Sequence, residues 1–414
     1  MNLHAFQVLD SRGVPTVCAV LTTKKGTFTA TVPSGTSSGK YEALELRDSG
    51  RAFGGKGVLK ACRNAENISK KLPIASYLNQ ADLDSKLIKF DGTANKTWFG
   101  ANALLAISLV SAKAAAVESN HQLFSYFASL SNCKPQLPLP MATVIDGGKH
   151  AGNNLSLQEL MLVPTKFNTF AAATQAVAET YAALRGLLLK KFGVNATNVG
   201  LEGGFAPPLK KTTSVLELLE AAIDAAGYSG KVKIALDCAA SEFYNEKAKR
   251  YSYEGKTLTS RKLTEIYFDL LDAFPIVSIE DPFAEEDWSA FSQFTAAVGK
   301  KVKVVGDDLL TTNTSRITSG VLTAACNALL LKPNQIGTIT ETLEAAELAR
   351  NAGWAVIASH RSGDSEDTFL ADLAVGLGCQ AAKIGAPCRS ERTAKYNRLL
   401  FIEKFHKVKL AKWA

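Results

Sequence analysis

From about residue 230 onward, short apolar runs alternate with longer stretches of helical periodicity. Short apolar runs bounded by turn residues are typical of strands buried on both faces. Six runs end at or beside a polar residue: "KVKIALD" with Asp237, "PIVSIED" with Glu280, "VKVVGDD" with Asp307, "NALLLK" with Lys332, "WAVIASH" with His360 and "AAKIGAP" with Lys383. Successive members of this set are separated by 43, 27, 25, 28 and 23 positions along the chain. After the first gap, each spacing fits one strand and helix, and the recurrence predicts a parallel sheet closed as a barrel.

Three further segments before residue 230 are predicted to be strands. They are "PMATVID", "LQELMLVP" and "NVGLEGGF", the last ending in glycine turns. Residues 1 to about 135 differ, because the β-like runs "PTVCAVLTT" and "GTFTATVP" are followed by helical stretches. The proline-rich segment "CKPQLPLP" at 133–140 marks a domain boundary. We therefore expect an α/β protein with a small α+β domain at 1–135 and a barrel domain at 136–414.

The run "NALLLKPNQIG" ends in Lys332, the first charge that its apolar residues meet. Pro333 biases the preceding residue toward an extended backbone, so Lys332 is predicted to belong to the strand. One interpretation is a lysine that snorkels from a sheet edge into water. The alternative is a functional lysine, because a barrel carries its active site at the carboxyl ends of its strands, where all six polar residues would meet.

Three carboxylates on consecutive predicted strands suggest a metal site. Asp237, Glu280 and Asp307 offer only oxygen, which suits a hard cation such as Mg²⁺ better than structural zinc. A core does not favour charges at such positions unless they are paired or bind a ligand. The competing interpretation is that the three carboxylates balance nearby lysines.

The segment "ASHRSGDSED" suggests an anionic substrate. It places His360, Arg361 and Ser362 directly before a predicted helix whose first turn is acidic. A helix N-terminus beside Arg and Ser is a ready phosphate site.

The glycine-rich segment "VPSGTSSGKYEALELRD" resembles a nucleotide-binding loop, but its spacing does not fit. Gly35 and Gly39 enclose three residues where four are needed, and Tyr41 stands where a hydroxyl of Ser or Thr should follow the lysine. We expect instead a mobile lid that carries Ser37.

The composition is that of an ordinary globular protein. With 414 residues, 46% of them hydrophobic, the chain is long enough to bury a large core. The net charge of +8 permits acidic ligands or nucleic acid, but the charge is dispersed except in the tail "EKFHKVKLAKWA". Because no nucleic-acid-binding motif accompanies the tail, nucleic acid is not expected to be the main partner.

Cysteine usage and the apolar segments favour a cytoplasmic protein. The seven cysteines are odd in number, scattered and without a C-x-x-C pair, which argues against a disulfide framework and a zinc site. The start "MNLHAFQVLD" lacks the pattern of a secretory signal. The longest apolar segment, 101–117, is interrupted by Ser108, Ser111 and Lys113, so we expect a packed helix and no membrane span.

The chain contains an ordered set of long motifs: "LDSRGVPTV", "VPSGTSSGKYEALELRD", "DGTANKTWFGANALLAISL", "GGKHAG", "QELMLVP", "EGGFAP", "LDCAASEF", "SIEDPFAEEDW", "GDDLLTTN", "LLLKPNQIGT", "SHRSGDSEDTF" and "KIGAPCRSERTAKYN". Through these motifs the chain closely resembles the enolase (phosphopyruvate hydratase) family across nearly its whole length. The resemblance implies a small α+β domain followed by a modified TIM-type (β/α)8 barrel. It also implies the reversible dehydration of 2-phosphoglycerate to phosphoenolpyruvate in glycolysis and gluconeogenesis, with two Mg²⁺ per active site, in a homo-oligomer (dimer or octamer).

The resemblance assigns roles to individual residues. Asp237, Glu280 and Asp307 would hold the first magnesium ion, and Ser37 of the lid would contact the second. Lys332 would be the base that removes the C2 proton, and Glu202 of "EGGFAP" the acid that protonates the departing C3 hydroxyl. Glu159 and His360 would assist catalysis. The implied substrate-binding set is Ser37, His150, Glu159, Glu280, Asp307, Lys332, His360, Arg361, Ser362 and Lys383.

Four positions depart from the family's usual pattern: Val14, Asp146, Lys149 and Leu201. Leu201 replaces an acid that normally precedes the catalytic glutamate, and the loss of a neighbouring carboxylate should lower the pKa of Glu202. The proposed proton carriers and metal ligands are retained, which favours a working enzyme. The alternatives are a catalytically weakened relative with a binding or structural role, and another barrel lyase or racemase acting on a carboxylate.

Overall fold

The N-terminal part of the protein is built on a three-stranded antiparallel sheet. The structure is a computed structural model that describes residues 2–36 and 39–413. The strands are β1 (Asn2–Leu9), β2 (Pro15–Thr23) and β3 (Gly26–Thr31), in the order β1-β2-β3. The predicted strands "PTVCAVLTT" and "GTFTATVP" are confirmed. Strand β1 was not predicted, because it is an edge strand in which Leu3 is the buried residue and no apolar run marks it.

Four α-helices follow in the N-terminal part: α1 (Leu59–Ser69), α2 (Gln80–Asp91), α3 (Ala101–Glu118) and α4 (Leu123–Ser131). Helix α3 is the predicted packed helix. By length and composition it could cross a membrane, but 83% of its apolar window is buried inside the protein. It packs on β2, β3 and α1, so its apolar surface is used within the fold.

Eight strands form a closed barrel. They are β4 (Leu139–Asp146), β5 (Glu159–Pro164), β6 (Val232–Asp237), β10 (Ile276–Glu280), β11 (Lys303–Gly306), β12 (Ala328–Leu331), β13 (Ala355–Ser359) and β14 (Ala381–Lys383). This is also their order around the barrel, which closes by pairing of β14 with β4. Strand β5 is antiparallel to both neighbours, and the other pairs are parallel. The six runs predicted from the strand–helix repeat are therefore confirmed.

The remaining elements surround the barrel. The helices are α5 (Phe170–Phe192), α6 (Thr212–Ala225), α7 (Ser260–Ala273), α8 (Trp288–Val298), α9 (Thr314–Leu322), α10 (Pro333–Ile336), α11 (Ile339–Asn351), α12 (Phe369–Gly376) and α13 (Ser390–His406). A small antiparallel sheet of β7 (Tyr244–Asn245), β8 (Arg250–Tyr253) and β9 (Lys256–Leu258) lies between β6 and α7 and accounts for the long first spacing.

The prediction of a strand at "NVGLEGGF" is wrong. Residues 198–205 form a tight loop with isolated bridges of Phe205 to Val199 and to Ile145. Its glycines explain the difference: the Gly200 N–H donates to the Gly204 carbonyl at 2.8 Å, and Gly203 has a positive φ of 86°. A chain that turns back within five residues cannot also extend as a barrel strand.

A buried carboxylate joins the N-terminal part to the barrel. Asp84 of α2 is fully buried, and its Oδ2 accepts from the Thr340 N–H at 2.8 Å, the Thr340 hydroxyl at 2.7 Å and Gln80 Nε2 at 3.0 Å. Thr340 lies in the first turn of α11, where backbone N–H groups need acceptors. The carboxylate therefore caps a barrel helix from the other part of the molecule.

We expect Asp84→Ala to lower the free energy of unfolding by about 2–3 kcal/mol, because the N–H and hydroxyl of Thr340 would lose the acceptor that the buried Asp84 carboxylate provides. Denaturant unfolding measures this change. Asp82→Ala is the matched control, since Asp82 lies on the same helix, is partly exposed and pairs with Lys86. Equal stability of the two variants would contradict the role of Asp84 in joining the two parts.

Candidate active site

Side-chain alternation places the polar residues at one end of the barrel. Along β12, Ala328 and Leu330 belong to the core inside the barrel, whereas Leu329 and Leu331 belong to the larger core outside it. The next inward position is Lys332, which follows the strand with an extended backbone (φ −127°, ψ 100°). On four other strands, the residue two positions after an inward-facing apolar residue is also polar. These pairs are Met141 and Thr143, Ala235 and Asp237, Val305 and Asp307, and Ala381 and Lys383.

Most of the predicted site residues line one narrow cavity of about 30 Å³ at this end of the barrel. Its lining includes His150, Glu159, Glu202, Asp237, Asp307, Lys332, His360, Arg361, Ser362 and Lys383. Glu280 does not line it but binds Lys383 directly. Ser37, the predicted lid residue, lies outside the described residues. A volume of this size holds about one water molecule, so ion pairs fill the mouth of the barrel.

Lys383 is held by carboxylates from three strands. Its Nζ lies 2.8 Å from Asp237 Oδ2, 2.9 Å from Glu280 Oε1 and 3.2 Å from Glu159 Oε1. Burial lowers the pKa of Lys383, but Asp237, Glu159 and Glu280 outweigh burial and raise it well above its usual value. Lys383 is therefore a fixed positive charge between two of the three carboxylates predicted to bind metal.

Lys332 pairs with the third of these carboxylates. Its Nζ donates to Asp307 Oδ2 at 2.5 Å, and Gln335 Nε2 donates to Asp307 Oδ1 at 2.9 Å. Burial lowers the pKa of Lys332, but Asp307 more than compensates, and the pKa is raised. The protein groups alone thus hold a proton on Lys332, and a base role requires that its pairing with Asp307 be weakened.

A second group of acids and histidines gathers around Glu202. The Thr143 hydroxyl lies 2.7 Å from Glu159 Oε2 and 3.2 Å from Glu202 Oε2. His150 Nδ1 lies 3.3 Å from Glu159 Oε1 and 3.6 Å from Glu202 Oε1. His360 Nε2 approaches Glu202 Oε2 at 2.8 Å. This group lies beside β4 and β5. Because β5 and β12 are four strands apart in the eight-stranded barrel, the group lies across the barrel from Lys332.

The two histidines beside Glu202 differ in charge. Burial lowers the pKa of His150, but Glu202 and Glu159 outweigh it and raise the pKa to about 9. Burial also lowers the pKa of His360, and with Arg392 beside it the pKa falls to about 4 despite the opposing effect of Glu202. At neutral pH, His150 is therefore a cation and His360 is neutral. Burial raises the pKa of Glu202, but His360 and His150 lower it more, so it lies well below its usual range.

Sequence reasoning gave no role to Arg392, which orients His360. Arg392 is fully buried, and its Nη1 lies 2.6 Å from His360 Nδ1 and donates to the Arg361 carbonyl at 2.7 Å. Because an arginine can only donate, Nδ1 must accept, which leaves the ring proton on Nε2, the nitrogen nearest Glu202. Arg392 stands in the quoted motif "KIGAPCRSERTAKYN", but only the tertiary structure shows what it contacts.

The prediction that His360, Arg361 and Ser362 directly precede a helix is wrong. Helix α12 begins at Phe369, and the intervening residues form an irregular segment in which Gly363 and Ser34 exchange backbone hydrogen bonds of 2.8 and 2.9 Å. No helix N-terminus therefore adjoins Ser362 in the described structure. The positive charge at this point comes from Arg361 itself, which binds Glu42 at 3.1 Å. The Ser362 hydroxyl accepts from the Thr36 N–H at 2.8 Å, next to the predicted lid.

Acidic groups in the described structure can hold a metal ion. Oxygen atoms of Asp281, Asp307 and Asp308 lie within 4.8 Å of one another. Asp281 was not predicted, although it stands in the quoted motif "SIEDPF", and its two oxygens accept from the N–H groups of Asp307 and Asp308 at 2.9 and 2.7 Å. Two further groups of this kind contain histidine: Asp146, His150 and Glu202, and Glu159, Glu202 and His360. The all-oxygen group fits a hard divalent cation best.

The fold and the site together define a barrel of the class of enzymes that use lysine and carboxylate groups at the carboxyl ends of their strands. Comparison with known families makes the assignment specific. Residues 1–127 match the model of the enolase N-terminal domain, and residues 134–411 match that of the enolase C-terminal TIM barrel domain. The chain belongs to the enolase family.

Curated relatives agree with this assignment. The chain is 49% identical to enolase 1 of Entamoeba histolytica and 51% identical to the enolase of Methanopyrus kandleri, in each case over 97% of this chain and 95% of the relative. It is 48% identical to the enolase of Mastigamoeba balamuthi over 97% of this chain and 94% of that protein. These relatives all carry the name enolase, which favours the enzyme over the binding or structural alternative.

Proposed function

We propose that this protein is a phosphopyruvate hydratase, which catalyses the reversible dehydration of 2-phosphoglycerate to phosphoenolpyruvate in glycolysis and gluconeogenesis. The observation that carries the proposal is a buried lysine and a buried glutamate, Lys332 and Glu202, lining one cavity from different sides of an enolase-family barrel. One group is suited to remove a proton and the other to deliver one.

The donor set fits divalent cations, which we propose to be two Mg²⁺ per active site. Asp237, Glu280 and Asp307 would hold the first, and Asp281 and Asp308 extend the oxygen-rich surface on which Asp307 lies. Ser37 is proposed to contact the second. When bound, such cations stabilise negative charge on the substrate carboxylate and so make the C2 proton more acidic.

Lys332 is proposed to be the base at C2. Its ammonium is held by Asp307 alone among the carboxylates within ion-pair distance in the described structure. Engagement of Asp307 by another cation would remove the partner that raises the pKa of Lys332. The neutral amine could then accept the C2 proton.

Glu202 is proposed to be the acid at C3, with Glu159 and His360 arranging it. Thr143 lies against both glutamates, and His360 Nε2 lies 2.8 Å from Glu202 Oε2. Glu202 must carry a proton when the C3 hydroxyl leaves as water, because hydroxide is a poor leaving group.

The substrate's anionic groups are proposed to be bound by the cationic side chains that line the cavity. His150, Arg361 and Lys383 supply three buried positive charges, and Ser362 supplies a hydroxyl beside Arg361. Buried cations of this kind are balanced by carboxylates in the present arrangement. The phosphate and the carboxylate of a bound substrate can take the place of some of these carboxylate side chains as partners of the cations.

The proposal is tested by comparing 2-phosphoglycerate with glycerate, which lacks the phosphate. We expect absorbance of phosphoenolpyruvate to develop from 2-phosphoglycerate, and no dehydration of glycerate at a comparable rate. Equal use of the two substrates would instead favour a different barrel lyase that acts on carboxylates.

We expect Asp307→Ala to reduce turnover by about 10²-fold or more without unfolding the chain, because it removes an oxygen ligand at the edge of a cavity. Calorimetric titration with Mg²⁺ and thermal unfolding should show weaker metal binding and a similar melting temperature. Asp269→Ala, at an exposed position of α7, serves as the control. Full turnover by Asp307→Ala in excess chelator would contradict the metal assignment.

We also propose a homo-oligomer, a dimer or octamer, in the cytoplasm. Phe6 and Leu9 of β1 and Leu59 of α1 are exposed apolar side chains on the N-terminal part, which supports association through that part. All seven cysteines are free, as suits a reducing compartment. Sedimentation analysis tests the assembly, and a strictly monomeric enzyme would contradict it.

A further inference from the structure

Asp146 is a second carboxyl group packed against Glu202. It ends β4 and is fully buried. Its Oδ2 accepts from the Glu202 N–H at 3.2 Å, while its Oδ1 has no hydrogen-bond partner among the described residues. Oxygens of Asp146 and Glu202 and a nitrogen of His150 lie within 4.8 Å of one another. Buried polar atoms usually have a hydrogen-bond partner, so a buried carboxyl beside Glu202 with only one of its two oxygens hydrogen-bonded suggests a function.

The loop that carries Glu202 packs closely against Asp146 through its glycines. A Cβ atom at Gly200 would come within 2.4 Å of Asp146 Oδ2, and one at Gly204 within 2.8 Å of the Asp146 nitrogen. The loop is further tied down because the Asp146 N–H donates to the Phe205 carbonyl at 3.0 Å. Only glycine permits this approach, so the contact between Asp146 and the Glu202 backbone is built into the fold.

The charges around Asp146 favour its neutral form. Burial raises the pKa of Asp146, Glu202 raises it further, and Glu159 on β5 acts in the same direction. His150 is the cation that opposes them. On α5, the Tyr181 phenol also faces this group, and its own pKa is raised chiefly by burial, then by Cys388 and to a smaller extent by Asp146.

We propose that Asp146 is a positioning residue for Glu202, and that the two carboxyl groups hold one proton between them which Glu202 delivers to the C3 hydroxyl. Two buried carboxylates at this separation do not both ionise readily, so the pair titrates as a unit and keeps a proton to higher pH than one carboxyl would. In the step itself, the proton moves to the C3 oxygen, the C3–O bond breaks and water leaves. The electron pair at C2 forms the C2–C3 double bond. The inference rests on the proposed function.

The departure at position 201 is consistent with this role. Leu201 has no carboxyl to offer Glu202, and its carbonyl accepts from Arg392 at 3.2 Å. Asp146 reaches Glu202 from β4 instead. Asp146 thus supplies through space the neighbouring carboxyl that Leu201 cannot supply along the chain.

Asp146→Asn removes the second carboxyl but keeps the hydrogen bond, because the amide oxygen can still accept from the Glu202 N–H. Without a second carboxyl to share the proton, Glu202 titrates alone and loses its proton at lower pH than the pair does, so the alkaline limb of turnover moves to lower pH. We expect kcat for phosphoenolpyruvate formation near pH 8 to fall by about tenfold or more, with little change in KM. Exchange of the C2 proton with deuterated solvent should persist, since that step belongs to Lys332.

The double variant Asp146→Asn with Leu201→Asp returns a carboxyl to the neighbourhood of Glu202, and we expect its alkaline limb to move back toward that of the unmodified protein. An unchanged pH profile in Asp146→Asn would overturn the proposal. Parallel loss of exchange and dehydration, or failure of this nearly isosteric variant to fold in thermal unfolding, would assign the carboxyl to stability and would also overturn it. Absence of dehydration by the unmodified protein would refute the proposed function instead.

Discussion

Lys332→Ala should abolish both phosphoenolpyruvate formation and exchange of the C2 proton with deuterated solvent. Lys332 continues the inward face of β12 and reaches the cavity, where it pairs with Asp307. No other lysine pairs with Asp307 within the described structure, and Lys383 is held by Asp237, Glu280 and Glu159. Without Lys332 no base remains at C2, so both rates should fall by about 10²–10⁴-fold or more. Proton NMR of 2-phosphoglycerate in deuterated buffer measures the exchange.

The matched control for this variant is Lys303→Ala. Lys303 begins β11, at the end of the strand away from Asp307, so its loss should leave exchange and turnover nearly unchanged. Rapid exchange by Lys332→Ala would show that another group removes the proton.

Glu202→Gln should separate the two steps. The amide keeps nearly the shape of the carboxyl beside Thr143 and His360, but it cannot deliver a proton to the C3 hydroxyl. Dehydration should fall by about 10²–10⁴-fold, while the C2 proton can still leave and return. Exchange measured by NMR should therefore continue when phosphoenolpyruvate formation has nearly stopped.

Glu217→Gln, at an exposed position of α6, controls for the change of residue type. Loss of exchange in Glu202→Gln, together with retained exchange in Lys332→Ala, would reverse the two roles.

The sequence predicted the barrel because alternation and strand–helix spacing are local properties of the chain. On β12, Ala328, Leu330 and Lys332 share one face, so the position of the lysine follows from a strand that ends at a buried cavity. The same reasoning failed at "NVGLEGGF", where glycines close a turn that resembles a strand in its apolar content. Glycine-rich segments can be assigned only when the groups that they approach are known.

Contacts between distant segments were beyond sequence reasoning. The bridge of Gly363 to Ser34 joins the chain after Ser362 to a distant segment, and Arg392 of α13 reaches His360 only in the folded protein. The sequence analysis left open whether the three carboxylates bind a metal or balance nearby lysines, and in the structure each of them pairs with a lysine. Lys383 lies between Asp237 and Glu280 because a buried carboxylate needs a compensating positive charge.

Whether this protein is a metal-dependent phosphopyruvate hydratase is decided by the absorbance of phosphoenolpyruvate formed from 2-phosphoglycerate. We expect formation in Mg²⁺, loss of formation when EDTA is added and recovery when Mg²⁺ is restored in excess. No formation in the presence of Mg²⁺, or a rate that EDTA leaves unchanged, would contradict it.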